Sequence, residues 1–118
     1  MTGAATVVHD LGRAVDAQDW DALEALLADD FRCRYVHTGE VLDRAGYVRL
    51  NREYPGAWRF LVQDELSSGD RACGLATVTD GDETHHVALF LTVRGGLVRE
   101  LVEVWAEQVE APQERRPG

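Results

Sequence analysis

The carboxylate best placed for chemistry is Glu103, which alternates with Leu101 and Trp105 in an apolar stretch near the C-terminus. Alternate residues of a strand share one face, so these three side chains point the same way. If that face is internal, burial raises the pKa of Glu103 toward neutrality, where a carboxyl group can both donate and accept a proton. Val102 and Val104 make the opposite face apolar as well, so alternation alone leaves open which face is internal.

A second candidate for proton transfer is His85. Its neighbour His86 would point to the opposite face of a strand, so only one of the two can face a cavity. If odd-numbered residues are internal, His85 joins Leu89 and Leu91 in the cavity wall and could move protons. The alternative is a histidine at the rim or on the surface.

Aromatic residues supply the remaining candidates. Tyr35 ends an alternating stretch and could donate its hydroxyl to a ligand carbonyl, although an aromatic core residue is the alternative. Tyr54 and Trp58 flank Pro55-Gly56, where a turn would place them at the lip of a pocket. We therefore predict Glu103, His85 and Tyr35 as catalytic residues, and as ligand-binding residues Tyr35, Tyr54, Trp58, Leu89, Leu91, Leu101 and Trp105.

Metal and cofactor motifs are absent from the sequence. Cys33 and Cys73 are far apart and form no CxxC pair, and the histidines show no metal-ligand spacing. There is no phosphate-binding loop and no dinucleotide fingerprint. We expect no metal and no cofactor, and we expect both cysteines to be buried free thiols, which suits a cytoplasmic location.

Length and charge restrict the class of protein. The 118 residues suit one domain, and a net charge of −9 argues against nucleic acid and anionic membranes as partners. The N-terminus has no signal-peptide pattern, and no apolar run approaches the ~20 residues of a membrane helix. We expect a cytoplasmic protein with a single domain over 1–110 and a disordered tail over 111–118.

Periodicity predicts the elements that would position these residues. Helical patterns cover 4–17, a stretch from the cap Asp19 to about Asp29-Asp30, and 44–53 after the cap Asp43. An alternating strand starts at Phe31, and Gly/Asp turns then separate four antiparallel strands, at 58–66, 72–79, 83–94 and 97–107. Three helices followed by long twisting strands predict an α+β fold with the helices packed on one face of the sheet.

Three segments carry a family resemblance: QDWDALEALLADDFRCRY (18–35), the Gly-Gly hairpin at 95–96, and LVRELVEVWAE (97–107). In order and spacing the chain resembles the nuclear-transport-factor-2-like superfamily, in particular its SnoaL-like, polyketide cyclase-like branch. The resemblance spans about residues 4 to 107. It implies a cystatin-like cone, in which three N-terminal helices pack on a strongly curved, mostly antiparallel sheet that encloses a pocket.

The resemblance also implies a function. We expect a domain that binds an apolar or aromatic small molecule and that could catalyse isomerisation, cyclisation or dehydration by proton transfer. One alternative is a non-catalytic ligand-binding or dimerisation module. Another is an epoxide hydrolase, since Glu103 corresponds to an Asp that activates water in limonene-epoxide-hydrolase-like members. Those members also use an Arg and a second Asp, which the sequence does not identify.

Ketosteroid isomerases of the superfamily can be compared position by position. Their general-base Asp corresponds to Tyr35, their oxyanion-hole Tyr to Leu11, and their protonated Asp to one of Ala88, Leu89 and Phe90. All three positions differ in chemistry, so the sequence does not predict that activity.

The long C-terminal strands present an outer face as well. Ala88, Phe90 and Val102 would lie on it, and an exposed apolar face usually marks an interface. We expect this face to form a homodimer.

Overall fold

The structure, a computed structural model, describes residues 4–115. Its helices are α1 (Val7–Asp16), α2 (Trp20–Ala25) and α3 (Arg44–Glu53), and short 3-10 turns occupy Ala4–Thr6 and Gln113–Arg115. Its strands are β1 (Leu27–Tyr35), β2 (Val41–Asp43), β3 (Arg59–Ser68), β4 (Arg71–Thr79), β5 (Thr84–Arg94) and β6 (Leu97–Glu107). The expected tail thus includes one 3-10 turn, and its residues 116–118 lie outside the described residues.

The six strands form one open, mixed sheet in the order β2-β1-β6-β5-β4-β3. All neighbouring strands are antiparallel except β1 and β6, which are parallel. The helices pack on the sheet, α1 against β3 and α3 against β1. The predicted α+β class, with three helices on a mostly antiparallel sheet, is confirmed. The closing strand β6 is central, so a side chain on its inner face has strands on both sides.

Two aspartates fix where helices begin. Asp19 Oδ1 accepts a hydrogen bond from the Ala22 amide at 3.1 Å, and Asp43 Oδ1 accepts one from the Gly46 amide at 2.8 Å. Each carboxylate satisfies an amide that has no partner within its helix. Both predicted caps are confirmed.

The second helix is shorter than predicted, since it ends at Ala25 and not near Asp29-Asp30. The Val98 amide donates to the carbonyl of Leu26 at 2.8 Å, and Leu27 pairs with Val98 of β6. The pair Leu26-Leu27 is compatible with both helical and strand periodicity, and pairing with the central strand β6 starts the strand at Leu27. The short strand β2 was not predicted, because three residues are too few to show alternation.

Close approach to the sheet holds α1 in place. Asp16 at its end accepts hydrogen bonds from the Arg59 Nε and Nη2 atoms, at 2.8 and 3.0 Å, and from the Phe60 amide at 2.9 Å. A Cβ atom on Gly12 would lie 2.5 Å from a methyl group of Val62, so only glycine allows this packing. The ion pair connects α1 to the start of β3, beside the cavity described below.

Leu23 tests whether the short α2 is held by core packing. Its side chain has no exposed area, so Leu23→Ala should lower the free energy of unfolding by about 2–5 kcal/mol. Leu97→Ala is the matched control, since Leu97 is 38% exposed, and should cost less than about 1 kcal/mol. Urea unfolding at one protein concentration measures both, and equal losses would contradict the packing described here.

Candidate functional site

A cavity of about 370 Å³ opens between the helices and the sheet. All three helices and every strand except β2 contribute to its wall. Most of the wall is aromatic or aliphatic, and Glu103 lies at its buried end. Such a mostly apolar concavity with a few polar groups is the usual form of a small-molecule site.

Among residues 4–115, Glu103 is the one ionisable Asp, Glu, Lys or Arg side chain that is buried, with 2% of its surface exposed. The Tyr47 hydroxyl of α3 donates a hydrogen bond to its Oε2 at 3.0 Å, and the Trp105 indole N–H donates to its Oε1 at 2.8 Å. Its backbone neighbours in the sheet are Tyr35 of β1 and Leu89 of β5. The inner face of β6 is therefore the one that carries Leu101, Glu103 and Trp105.

Burial raises the pKa of Glu103 to about 7 from an ordinary value of 4.5, because removal from water penalises the charged carboxylate. The hydrogen bonds from Trp105 and Tyr47 favour the charged form and limit the rise. Among residues 4–115, no Arg, Lys or His forms an ion pair with Glu103. The carboxyl group can therefore gain and lose a proton near neutral pH.

The two hydrogen bonds also favour one oxygen, Oε2, as the site of the proton. The indole N–H of Trp105 can only donate, so Oε1 must stay an acceptor in both protonation states. The hydroxyl of Tyr47 can donate or accept, so it can turn to accept a hydrogen bond from a protonated Oε2. A proton on Oε2 is therefore compatible with both contacts, with the hydrogen bond to Tyr47 reversed.

Tyr35 lies beside Glu103 on the neighbouring strand and is 7% exposed. Burial, followed by the charge of Glu103, holds the pKa of its phenol well above its ordinary value, so the hydroxyl stays protonated. This hydroxyl has no hydrogen-bond partner within the described part of the chain, yet its oxygen is not sealed off by protein. A buried donor that faces a cavity is available to a ligand.

A row of aromatic rings leads from the rim to Glu103. The centroids of Tyr54 and Trp58 are 5.8 Å apart, those of Trp58 and His85 5.7 Å, and those of His85 and Trp105 6.3 Å. Trp58 is held by a hydrogen bond from its indole N–H to the Pro55 carbonyl at 2.8 Å. All four rings line the cavity, so the structure brings these predicted residues together with Glu103 and Tyr35.

Three predicted ligand contacts lie elsewhere. Leu89, Leu91 and Leu101 are each 1% exposed and do not line the cavity, so the structure corrects their assignment to its wall. They are on the expected face of the sheet, but further along β5 and β6. There the 3-10 turn Ala4–Thr6 packs against β5, and these leucines belong to the core.

Tyr47 is the important site residue that sequence reasoning missed. Its position on the inner side of an otherwise polar helix was a usable signal, since a buried phenol requires a hydrogen-bond partner. The identity of that partner, 56 positions away, depends on how α3 packs on the sheet.

Residues 4–115 contain neither a cluster of potential metal ligands nor a helix suited to span a membrane. No cluster of three or more His, Cys, Asp or Glu side chains there could hold a metal ion. None of the helices in that range is both long and apolar enough to span a membrane. Cys33 is a buried free thiol, while Cys73 is a half-buried one.

The raised pKa of Glu103 has a measurable effect on stability. The native state keeps this proton at pH values where the unfolded chain has lost it, so the associated stabilisation is complete below about pH 4.5 and is lost as pH rises toward 7. Compared with Glu103→Gln, the wild-type protein should lose roughly 3 kcal/mol of unfolding free energy over that interval, at about 1.4 kcal/mol per pH unit.

Urea unfolding at a series of pH values measures this difference. The glutamine can keep both hydrogen bonds, because its oxygen accepts from Trp105 and its amide donates to Tyr47. Glu65→Gln removes the same charge at a half-buried position of β3 outside the cavity and should follow the wild-type curve. A constant difference between the Glu103→Gln and wild-type proteins at all pH values would contradict the raised pKa.

Comparison with known proteins identifies the family. Residues 8–101 match the SnoaL-like domain. A structure from Kribbella flavida, provisionally named a ketosteroid isomerase, is 34% identical, with a TM-score of 0.84 over 96% of this chain and 82% of that one. Other solved neighbours are described as having nuclear-transport-factor-2-like or cystatin folds, and none of the curated proteins matches significantly.

Two more distant structures share the fold alone. IdmH from Streptomyces antibioticus, provisionally named a polyketide cyclase, is 18% identical, with a TM-score of 0.75 over 86% of this chain and 90% of its own. An LEH-like epoxide hydrolase from M. tuberculosis is 17% identical, with a TM-score of 0.72 over 85% of this chain and 80% of its own. The family match and the cavity agree with the predicted SnoaL-like resemblance, and this chain belongs to the SnoaL-like family.

Proposed function

We propose that this domain binds an apolar or aromatic small molecule and catalyses proton transfer on it, with Glu103 as acid and base. The observation that carries the proposal is a buried carboxyl group, with a pKa of about 7, in the wall of the same cavity as the unpartnered hydroxyl of Tyr35. A general base works best when its pKa is near the operating pH. The chemistry requires no metal and no cofactor.

The reaction begins at a carbon next to a ligand carbonyl. The carboxylate of Glu103 removes a proton from that carbon, and the Tyr35 hydroxyl donates a hydrogen bond to the carbonyl oxygen as it gains negative charge. If the ligand has a carbon–carbon double bond β,γ to the carbonyl, the ion formed is a dienolate, and protonated Glu103 returns the proton to its γ-carbon, which completes an isomerisation. In a cyclisation, the enolate carbon instead attacks a second carbonyl of the same ligand, and Glu103 protonates the new alkoxide.

Tyr47 and Trp105 are positioning residues in this proposal, because they orient the carboxyl group through hydrogen bonds. His85 is half-buried, and its Nε2 atom lies 3.7 Å from Oε2 of Glu83. In this proposal His85 relays protons between the cavity and solvent. The free thiols support the expected cytoplasmic location.

The names of the relatives support carbonyl chemistry more than epoxide hydrolysis. A ketosteroid isomerase acts through an enolate, and this is the provisional name of the neighbour that is 34% identical, whereas the epoxide hydrolase neighbour is 17% identical. Arg59 in this chain binds Asp16 with two hydrogen bonds and makes no ion pair with Glu103, so it does not supply the Arg partner expected of an epoxide hydrolase.

Hydrogen exchange on a minimal aromatic ketone tests the proposal. The protein should catalyse deuterium incorporation next to the carbonyl of 2-tetralone in D₂O, followed by proton NMR. The rate should rise with pH and level off above about 7, as Glu103 ionises. Glu103→Gln should reduce it at least ~10²-fold, and Tyr35→Phe about 10²-fold.

Glu65→Gln serves as the control, because it removes a carboxylate remote from the cavity, and its rate should equal the wild-type rate. The Glu103→Gln protein must still unfold cooperatively, so that its reduced exchange rate can be assigned to the missing carboxylate and not to a loss of folding. Bound 2-tetralone with no exchange above background would support the alternative of a non-catalytic binding module.

We further propose that the outer face of the sheet forms a homodimer. Leu75, Phe90 and Val104 lie on neighbouring strands of that face and are 47, 43 and 40% exposed. An apolar patch of this kind favours burial against a second copy across a two-fold axis.

The dimer is tested by placing a charge at the centre of this patch. Phe90→Glu should convert the dimer to a monomer in sedimentation equilibrium, because two buried carboxylates would face an apolar surface. Val109→Glu adds the same charge outside the sheet, where the side chain is 77% exposed, and should stay dimeric. A monomeric wild-type protein, or a dimeric Phe90→Glu protein, would contradict the proposal.

A further inference from the structure

The charged side chains around the cavity are mostly acidic. Glu40 and Glu107 are exposed at its rim, and Glu103 lies at its buried end. Among the wall residues in 4–115, Arg59 is the one Arg or Lys, and both oxygens of Asp16 bind its Nε and Nη2 atoms. His37 and His85 are the remaining basic side chains of the wall, so a ligand that carries a carboxylate or phosphate would meet three carboxylates and one permanently charged cation, which is already paired.

Aromatic rings adjoin the rim carboxylates. Glu107 is paired across the sheet with His85, whose ring is 5.7 Å from that of Trp58. Trp58 in turn contacts Tyr54, which is 57% exposed and therefore reaches solvent at the opening. The faces of tryptophan and tyrosine rings attract cations, most strongly where water is partly excluded.

We infer that this cavity selects a ligand with a positively charged ammonium group. The ammonium group binds at the rim, near Glu40, Glu107 and the rings of Tyr54 and Trp58. The apolar body of the ligand extends inward to Glu103. The inference rests on the proposed function only in that both use the same cavity. It adds that the ligand carries a positive charge, which narrows the class of substrate.

Three para-substituted phenols of different charge test the inference. They are the cation 4-hydroxyphenyl-trimethylammonium, its neutral isostere 4-tert-butylphenol, and the smaller anion 4-hydroxybenzoate, each titrated into the 118-residue protein by calorimetry. The cation should bind about 3- to 10-fold more tightly than the neutral isostere, from combined ring and carboxylate attraction. The anion should bind more weakly than either, and added salt should reduce the preference for the cation.

A matched pair of variants locates the selectivity. Glu107→Gln should weaken binding of the cation about two- to fivefold and leave binding of 4-tert-butylphenol unchanged. Glu65→Gln removes the same charge from β3, away from the cavity, and should change neither affinity. An equal loss in both variants would assign the effect to overall charge and overturn the inference.

The remaining outcomes separate the inference from the proposed function. Equal binding of the cation and its neutral isostere, or no binding of any probe, overturns the inference, while exchange of the neutral ketone 2-tetralone would still support the proposed function. Preference for the cation without any Glu103-dependent exchange supports the inference and overturns the proposed catalysis.

Discussion

The arrangement of strands and helices around the cavity depends on the burial of one carboxyl group, that of Glu103. A charged carboxylate removed from water is costly unless it receives hydrogen bonds, and here two donors supply them, Tyr47 from α3 and Trp105 from two positions further along β6. Neither donor carries a charge, so the cost is reduced without being cancelled, and the pKa of Glu103 lies near 7. A cation in place of either donor would have kept the carboxylate permanently ionised.

The rest of the fold can be understood from what this arrangement requires. β6 must be central for Glu103 to be buried, and it is central because β1 pairs with it in parallel on one side and β5 antiparallel on the other. Helix α3 must then lie over β1 to bring Tyr47 within hydrogen-bonding distance. The Asp43 cap fixes where α3 begins, and the ring of Tyr47 packs 5.4 Å from that of Phe31 on β1. At the other side, the Asp16–Arg59 ion pair ties α1 to β3 beside the cavity.

Local sequence signals were sufficient where one physical cause dominates. The caps Asp19 and Asp43 and the turns between β3 and β6 depend on short-range chemistry, and the predicted elements match the structure closely there. Prediction failed where two causes compete. Leu26 and Leu27 fit a helix and a strand equally well, and pairing with β6 decided between them. Leu89, Leu91 and Leu101 were assigned to the correct face, but alternation says nothing about how far along a strand the cavity extends.

The sequence by itself determined the α+β class and the acidic character of the chain, because these follow from periodicity, element order and composition, and its motifs carried the resemblance to the family. Only the tertiary structure decided which face of β6 is internal, since both faces are apolar enough to be buried. It also decided that Tyr47 is the partner of Glu103 and that the Tyr35 hydroxyl has no hydrogen-bond partner among residues 4–115. Hydrogen bonds between residues 56 positions apart depend on the packing of helix on sheet, which no local pattern encodes.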